Sequence, residues 1–321
     1  MSIKKEPYGV MPSGKAVEAY TLDNGILQAR ILTYGATLDA LFAPDREGTP
    51  GNVLLTFGSL EERRAKSSYQ GETVGRYANR IGGAKFTLGG GEYKVTVNVD
   101  PDICLHGAGE FSHAVWDAVD RGEDEITLAY TSPEGAQGFP GTVRATARYA
   151  LEGNRLVIEY RAQSDRDTIL NLTNHAYYNL AATGAAGDIL SHELQICADR
   201  YLPMSAALLP TGEIAPVEGT AFDFRAPRPI KQGGYDHNFC LNGSELAAVV
   251  YEPSTGRKME LRTNQPGLQL YTGNFLEAPF TGFCLETQLW PDCPNRKWPG
   301  NDYILRAGEA YFSHTTLAFT A

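Results

Sequence analysis

The sequence predicts an all-β protein, a large antiparallel β-sandwich with very few helices. Alternation of apolar and polar residues is the main evidence, because a period of two is typical of half-buried strands. In residues 93–99 every second side chain is apolar. The 34 glycines and 18 prolines are spread along the chain and indicate frequent turns. Short strands at regular spacing favour a sandwich or barrel over a fold of alternating strands and helices.

The same alternation predicts further strands at residues 126–130, 143–151, 156–162, 249–252 and 259–262. The segment Pro253-Ser254-Thr255-Gly256 lies between the last two and predicts a hairpin loop. At the C-terminus, residues 303–320 alternate again and are broken by a turn signal at 306–309. We find no internal repeat and no distinct linker, so residues 1–321 are expected to form a single domain.

Helical signals are few. The segment Ser59-Leu60-Glu61-Glu62 has the spacing of a capping box, in which an N-cap hydroxyl and a later carboxylate satisfy free backbone donors. It predicts one short surface helix that reaches about Ser67.

Composition limits the classes of partner. The formal net charge of −10 argues against binding to nucleic acid or to an anionic membrane, whereas an uncharged sugar is compatible with it. The first twenty residues lack the apolar stretch of a secretory signal, and no apolar run approaches the ~20 residues of a membrane helix. The five cysteines are scattered without metal-ligand spacing. We therefore expect a cytoplasmic protein with reduced thiols and no bound metal.

Five segments place polar and ionisable residues inside apolar strand patterns, and they lie far apart in the sequence. Active sites on β scaffolds are commonly assembled from such distant strand ends and loops. The segments are Gly75-Arg76-Tyr77-Ala78-Asn79-Arg80, Leu105-His106-Gly107, residues 171–180 around Asn174-His175-Ala176-Tyr177, Gly234-Tyr235-Asp236-His237-Asn238 and Leu285-Glu286-Thr287-Gln288.

Each of these residues, taken singly, also has a structural interpretation. His175 is either a buried imidazole bonded to a carbonyl or a general acid that titrates near neutral pH. Glu286 follows an apolar run and is either an edge residue or a desolvated general base. Asp236 is also consistent with a turn, Arg80 with a surface pair and His106 with a residue that caps a loop. Only the five segments taken together can distinguish the structural from the functional interpretation.

Six segments, in this order along the chain, resemble the aldose 1-epimerase (galactose mutarotase) family. The resemblance extends from about Leu22 to the C-terminus. The segments are Asn79-Arg80-Ile81, Leu105-His106-Gly107, Thr173-Asn174-His175-Ala176-Tyr177, Tyr235-Asp236-His237, Tyr271-Thr272-Gly273-Asn274-Phe275, and Glu286-Thr287-Gln288 through Pro291-Asp292-Cys293-Pro294-Asn295.

This resemblance implies the supersandwich fold of the galactose mutarotases and an isomerase that interconverts the α and β anomers of a free aldohexose, such as glucose or galactose, without a cofactor. It implies Glu286 as the base and His175 as the acid. Substrate contacts are expected from the other matched polar positions and their neighbours, namely Asn79, Arg80, His106, Tyr177, Asp236 and Gln269. A monomer and a homodimer both remain open.

The chain departs from the family pattern at two places. Gly107 is followed by Ala108, where members often have a second glycine, and the stretch between Phe275 and Glu286 is shorter than in many members. We expect these departures to change loop shape and sugar preference while leaving the reaction intact.

Three alternative functions remain. A hexose-6-phosphate 1-epimerase would need a phosphate site, for which Arg225, Arg228 and Lys231 form a loose basic stretch. A non-catalytic sugar-binding β-sandwich would not need an acid–base pair. A glycoside hydrolase would need two carboxylates, which Glu286 and Asp236 would have to supply.

Overall fold

The computed structural model describes residues 3–66, 68–231 and 234–321. These residues contain twenty-seven strands and three short α-helices, which turns and short 3-10 helices connect. This composition confirms the predicted all-β class with very few helices. The helices are α1 (Leu60–Lys66), α2 (Glu110–His113) and α3 (Cys293–Arg296).

Three larger sheets carry the architecture. The first contains, in spatial order, β1 (Lys4–Val10), β2 (Ala16–Asp23), β3 (Gln28–Leu32), β4 (Thr37–Pro44) and β5 (Pro50–Asn52). The second contains β11 (Asp117–Arg121), β12 (Glu125–Ser132), β13 (Val143–Glu152), β14 (Arg155–Ser164), β27 (Ala310–Thr320), β23 (Lys258–Thr263), β22 (Leu246–Tyr251), β17 (Glu193–Ile196) and β20 (Arg228–Pro229). The third contains β19 (Ala215–Pro216), β18 (Arg200–Tyr201), β21 (Asp236–Cys240), β24 (Gly267–Tyr271) and β25 (Cys284–Gln288).

Four two-stranded sheets connect and flank these layers. They pair β6 (Thr73–Val74) with β16 (Thr173–Asn174), β7 (Arg80–Ile81) with β10 (Cys104–Leu105), β8 (Lys85–Leu88) with β9 (Gly91–Lys94), and β15 (Thr168–Ile169) with β26 (Ile304–Leu305). Two of these pairs, β6–β16 and β7–β10, bring distant polar segments of the sequence side by side.

The long strands follow the predicted alternation. In β13, Val143, Ala145 and Ala147 are buried, whereas Arg144 and Arg148 lie on the outer face. Strands β13, β14 and β27 pair in antiparallel register along most of their lengths. The buried faces of all three larger sheets contribute to one hydrophobic core, because a sheet with one apolar face must cover it with another layer.

The hairpin around residues 253–256 and the helix at Ser59 are confirmed. Strands β22 and β23 pair across the loop. The backbone N–H of Glu62 donates to Ser59 Oγ at 3.2 Å, and the Glu62 carboxylate accepts from the N–H of Gly58 at 2.9 Å. Helix α1 then extends to Lys66, and Ser67 lies outside the described residues.

The strand predicted over residues 93–99 is wrong beyond Lys94, where β9 ends. The N–H of Val95 donates to Ala84 O and that of Thr96 donates to Gln137 O, each at 2.9 Å. These bonds go to two different loops, so the segment follows neighbouring chain segments without forming a ladder. The apolar side chain of Val97 is accordingly exposed.

Among the residues that the structure describes, none lies in a helix long and apolar enough to cross a membrane.

Candidate active site

Strands β21, β24 and β25 present three predicted site residues on one face of the third sheet. Asn238 pairs with Gln269, and Gln269 pairs with Glu286. Asp236 lies two residues before Asn238 and therefore points to the same face. Gln269 Nε2 donates to Asp236 Oδ1 at 2.7 Å. The sheet register thus places Asp236, Gln269 and Glu286 together.

Residues 171–180 bring a histidine against this face. The N–H of His175 donates to Glu72 O at 2.9 Å, and His175 O accepts from the N–H of Gly71 at 3.0 Å. These bonds hold the His175 ring so that Nε2 lies 3.7 Å from Glu286 Oε1. The ring of Tyr177 stacks on His175, with 5.2 Å between the ring centroids. His175, Tyr177 and Glu286 are all buried.

The pairing of β7 with β10 supplies the remaining residues. The N–H of Asn79 donates to His106 Nδ1 at 3.1 Å, and the N–H of His106 donates back to Asn79 O at 2.9 Å. Arg80 Nη2 lies 3.4 Å from Asp236 Oδ2. The His106 and His175 rings meet edge to face at 5.1 Å. All eight residues predicted from the sequence therefore belong to one cluster.

Burial shifts the pKa values of Glu286 and His175 in opposite directions. It raises the pKa of Glu286 to about 8, with a further rise from Asp236 and an opposing effect of Arg80. It lowers the pKa of His175 to about 4, where Asp236 acts in the opposite direction. At neutral pH the pair thus holds one exchangeable proton. A buried acid and base at 3.7 Å are suited to exchange protons with a molecule bound beside them.

Two buried oxygens in the cluster have no hydrogen-bond partner among the described residues. They are Gln269 Oε1 and Glu286 Oε2. Leaving a buried polar atom unpaired costs free energy, so such atoms in a cluster of this kind indicate a ligand with hydroxyl donors.

His106, His175 and Glu286 also have the residue types of a metal site, with ligand atoms within 4.8 Å of one another. The hydrogen bond from Asn79 argues against this use. Because His106 Nδ1 accepts the N–H of Asn79, the neutral ring carries its proton on Nε2. A metal at Nε2 would force that proton onto Nδ1, where it would face another donor. The donor set therefore does not fit a divalent metal.

Sequence reasoning missed two residues of this cluster. The Tyr69 ring lies 4.9 Å from that of His106 and 5.9 Å from that of His175, and its φ of 58° is in the left-handed region that a tyrosine rarely adopts. Cys284 Sγ lies 3.5 Å from His175 Nδ1. Tyr69 stands in no polar motif, and Cys284 reads as part of the apolar run before Glu286.

The segment between Phe275 and Glu286 forms one wall of an open groove of about 730 Å³. The other walls come from α1, residues 54–57 and residues 182–185. Phe275 is the most exposed large apolar side chain of the described residues, and its ring stacks on Tyr271. Tyr271 in turn meets Tyr177 edge to face, so the segment that begins at Phe275 borders the site.

Comparison with known families gives a match over most of the chain. The family model described as aldose 1-epimerase matches residues 18–318. Galactose mutarotase of Rattus norvegicus is 41% identical, over 98% of this chain and 98% of that protein. Galactose mutarotase of Homo sapiens is 40% identical, over 98% and 97%. Aldose 1-epimerase of Escherichia coli is 35% identical, over 98% and 99%.

Solved structures agree in fold. Galactose 1-epimerase from Lactobacillus acidophilus superposes with a TM-score of 0.86 at 29% identity, covering 99% of both chains. A homologue of the family from C. elegans superposes with a TM-score of 0.88 at 26% identity, covering 94% of this chain and 99% of that one.

Proposed function

The chain belongs to the aldose 1-epimerase family, and from this premise we propose that it interconverts the α and β anomers of free aldohexoses, with galactose and glucose as substrates. The observation that carries the proposal is the buried Glu286–His175 pair. The two side chains lie 3.7 Å apart, and burial shifts their pKa values in opposite directions. The names of the relatives support galactose as the first sugar to test.

In the proposed reaction Glu286 removes the proton of the C1 hydroxyl while His175 delivers a proton to the ring oxygen. The ring opens to the free aldehyde, the C1–C2 bond rotates, and the ring closes on the other face of the carbonyl. The pair carries one proton throughout: on His175 before ring opening and on Glu286 after it. Each positioned acid or base contributes roughly 10²–10⁴ in rate.

The surrounding polar groups are suited to bind sugar hydroxyls. Arg80 and His106 offer N–H donors, whereas Asp236 and Gln269 offer acceptor oxygens. Asn79 acts through His106, whose proton it keeps on Nε2. Tyr177 closes one side of the His175 ring. These assignments follow from the resemblance and from the placement of the residues.

The basic stretch 225–231 gives little support to a hexose 6-phosphate substrate. Arg225 pairs with Asp223 at 2.8 Å, and Asp223 lies beside it on the same exposed loop. Arg228 stacks on Phe224 and donates to the carbonyls of Asp223 and Ala221. Both guanidinium groups are thus already engaged, whereas a phosphate site needs an open fork of donors.

Polarimetry of freshly dissolved α-galactose and α-glucose with the purified protein tests the proposal. We expect both rotations to reach equilibrium faster with enzyme, and a higher kcat/KM for galactose than for galactose 6-phosphate. A preference for the phosphate would favour the 6-phosphate alternative. Sugar binding without any acceleration would favour the binding module.

The proposed chemistry uses only side chains of the protein. We therefore expect full activity after exhaustive EDTA treatment and without an added nucleotide. Loss of activity that a divalent metal restores would contradict this part of the proposal.

A further inference from the structure

Strand β25 contacts the His175 ring at both of its nitrogens. Glu286 Oε1 lies 3.7 Å from Nε2, and Cys284 Sγ lies 3.5 Å from Nδ1. The two residues are two positions apart and point to the same face of the strand. The imidazole is therefore held between two side chains of one strand, only one of which has a proposed role in proton transfer.

A histidine that gives and retakes a proton at one nitrogen must keep the other nitrogen protonated. If the proton on the other nitrogen moved to the reacting nitrogen, the reacting nitrogen would hold a proton at the step in which it must accept one. His175 works at Nε2 in the proposed reaction, so the N–H at Nδ1 needs a partner that accepts a hydrogen bond from it. A thiol sulfur is a weak hydrogen-bond acceptor and meets this need.

We propose that Cys284 is a positioning residue: its sulfur accepts a hydrogen bond from Nδ1–H of His175 and thereby reserves Nε2 for proton exchange. The inference rests on the proposed role of His175. It goes beyond that role, because it assigns the tautomer of the resting histidine and the residue that sets it.

The surroundings of the thiol support this assignment. Burial raises the pKa of Cys284 well above its ordinary value, and the neighbouring Glu286 and Asp236 add to the rise. The group therefore stays a neutral thiol and a weak acceptor. A carboxylate at this position would stabilise the imidazolium and raise the pKa of His175. A thiol orients the ring while leaving the imidazolium a strong acid.

The rest of the ring is fixed independently of Cys284. Tyr177 stacks on one side, Tyr69 packs at a tilt, and the His106 ring meets the edge. The backbone bonds to Glu72 and Gly71 fix the main chain. Removing the sulfur should therefore change the tautomer more than the position of the ring.

The test is ¹⁵N NMR of histidine-labelled protein, with the His175 signals assigned by their loss in His175→Asn. We expect wild type to carry the proton on Nδ1 at pH 7. Cys284→Ala should shift the population towards Nε2–H and lower kcat roughly tenfold with KM unchanged, which is the lower end of the loss seen when the hydrogen-bond partner that orients a metal-bound histidine is removed. Cys284→Ser, whose hydroxyl also accepts, should restore Nδ1–H and part of the turnover.

Cys240→Ala is the matched control, because Cys240 is a buried cysteine on β21 of the same sheet. It should leave the tautomer and kcat unchanged. A wild-type spectrum with the proton on Nε2 would overturn the proposal, as would Cys284→Ala with wild-type tautomer and kcat. The wild-type spectrum decides even if Cys284→Ala fails to fold. Undiminished activity of Glu286→Gln would refute the proposed function instead, without altering the wild-type spectrum.

Discussion

Two buried glutamates of this protein both have a pKa raised by burial, and they differ in their partners. Burial raises the pKa of Glu72 to about 7 and that of Glu286 to about 8. Each has one carboxylate oxygen without a hydrogen-bond partner among the described residues. Burial alone therefore does not distinguish a structural carboxylate from a catalytic one.

The partner at the other oxygen makes the difference. Glu72 Oε1 lies 3.5 Å from Nη1 of Arg63, a fully buried residue that also bonds Asp39 at 2.6 Å. Glu286 Oε1 lies 3.7 Å from the imidazole of His175. A guanidinium keeps its protons at any physiological pH, whereas an imidazole exchanges one. Only the second pair can move a proton to and from a substrate.

The largest expected effect separates the two glutamates by turnover. Glu286→Gln keeps the size of the side chain but cannot accept a proton, so kcat in polarimetry should fall by at least ~10²-fold. Glu72→Gln should retain most of the wild-type turnover, because the hydrogen-bond partner of the Glu72 side chain among the described residues is Arg63, whose guanidinium keeps its protons. Equal losses in the two variants would break the comparison. Calorimetric galactose binding by Glu286→Gln should persist and would exclude unfolding.

The kcat of His175→Asn should fall by a similar factor, since the substitution removes the proposed proton donor to the ring oxygen. If both residues act in one proton-transfer sequence, the double variant should be little slower than the slower single variant. Rates for wild type, both single variants and the double variant complete the cycle. If the fold-losses in kcat of the two single variants multiply in the double variant, the two residues act in separate steps.

The pH dependence of kcat/KM sharpens the role of the pair. With a pKa of about 4 on His175 and about 8 on Glu286, the pair holds one proton between these values. Below pH 4 it gains a second proton, and above pH 8 it loses the only one. We expect a plateau between these limits and about a tenfold loss per pH unit outside them. A steady rise through pH 9 would show that the pair does not need its proton.

The last comparison concerns stability at Glu72 and leaves turnover aside. Its pKa rises from 4.5 to about 7 on folding, so between these values the folded chain keeps a proton that the unfolded chain has lost. Stability should therefore fall as pH rises from about 4.5 to 7, by roughly 3 kcal/mol from this group. Urea unfolding at pH 5 and pH 8 should show a loss of stability in wild type that is smaller by this amount in Glu72→Gln, where the loss from Glu286 remains. The exposed Glu309→Gln should behave like wild type.

The sequence predicted the long strands and the polar cluster, for different reasons. Alternation predicts β13 and β14 because each strand buries one face. The eight site residues followed from the resemblance to the aldose 1-epimerase family that the six segments carry. Residues 93–99 show the limit, since the same alternation there leads to a strand that ends at Lys94.

Contacts that the sequence could not predict depend on the arrangement of distant segments. Cys284 and His175 are separated by 109 positions, and nothing in Phe283-Cys284-Leu285 indicates a polar partner. Tyr69 reaches two histidines through a left-handed backbone conformation that no pattern of side chains signals. Asn79 contributes through its backbone N–H, which every residue type except proline possesses.

The register of β24 with β25 also bears on how the enzyme forms. Gln269 and Glu286 are hairpin neighbours, but their target histidine belongs to a segment synthesised long before them. Contacts of such sequence separation form late, because the chain between them must first be ordered. A chain released early from the ribosome, or refolding from denaturant, can hold most of its strands without an assembled proton-transfer pair. Regain of mutarotation during refolding thus reports closure of the contact between Glu286 and His175.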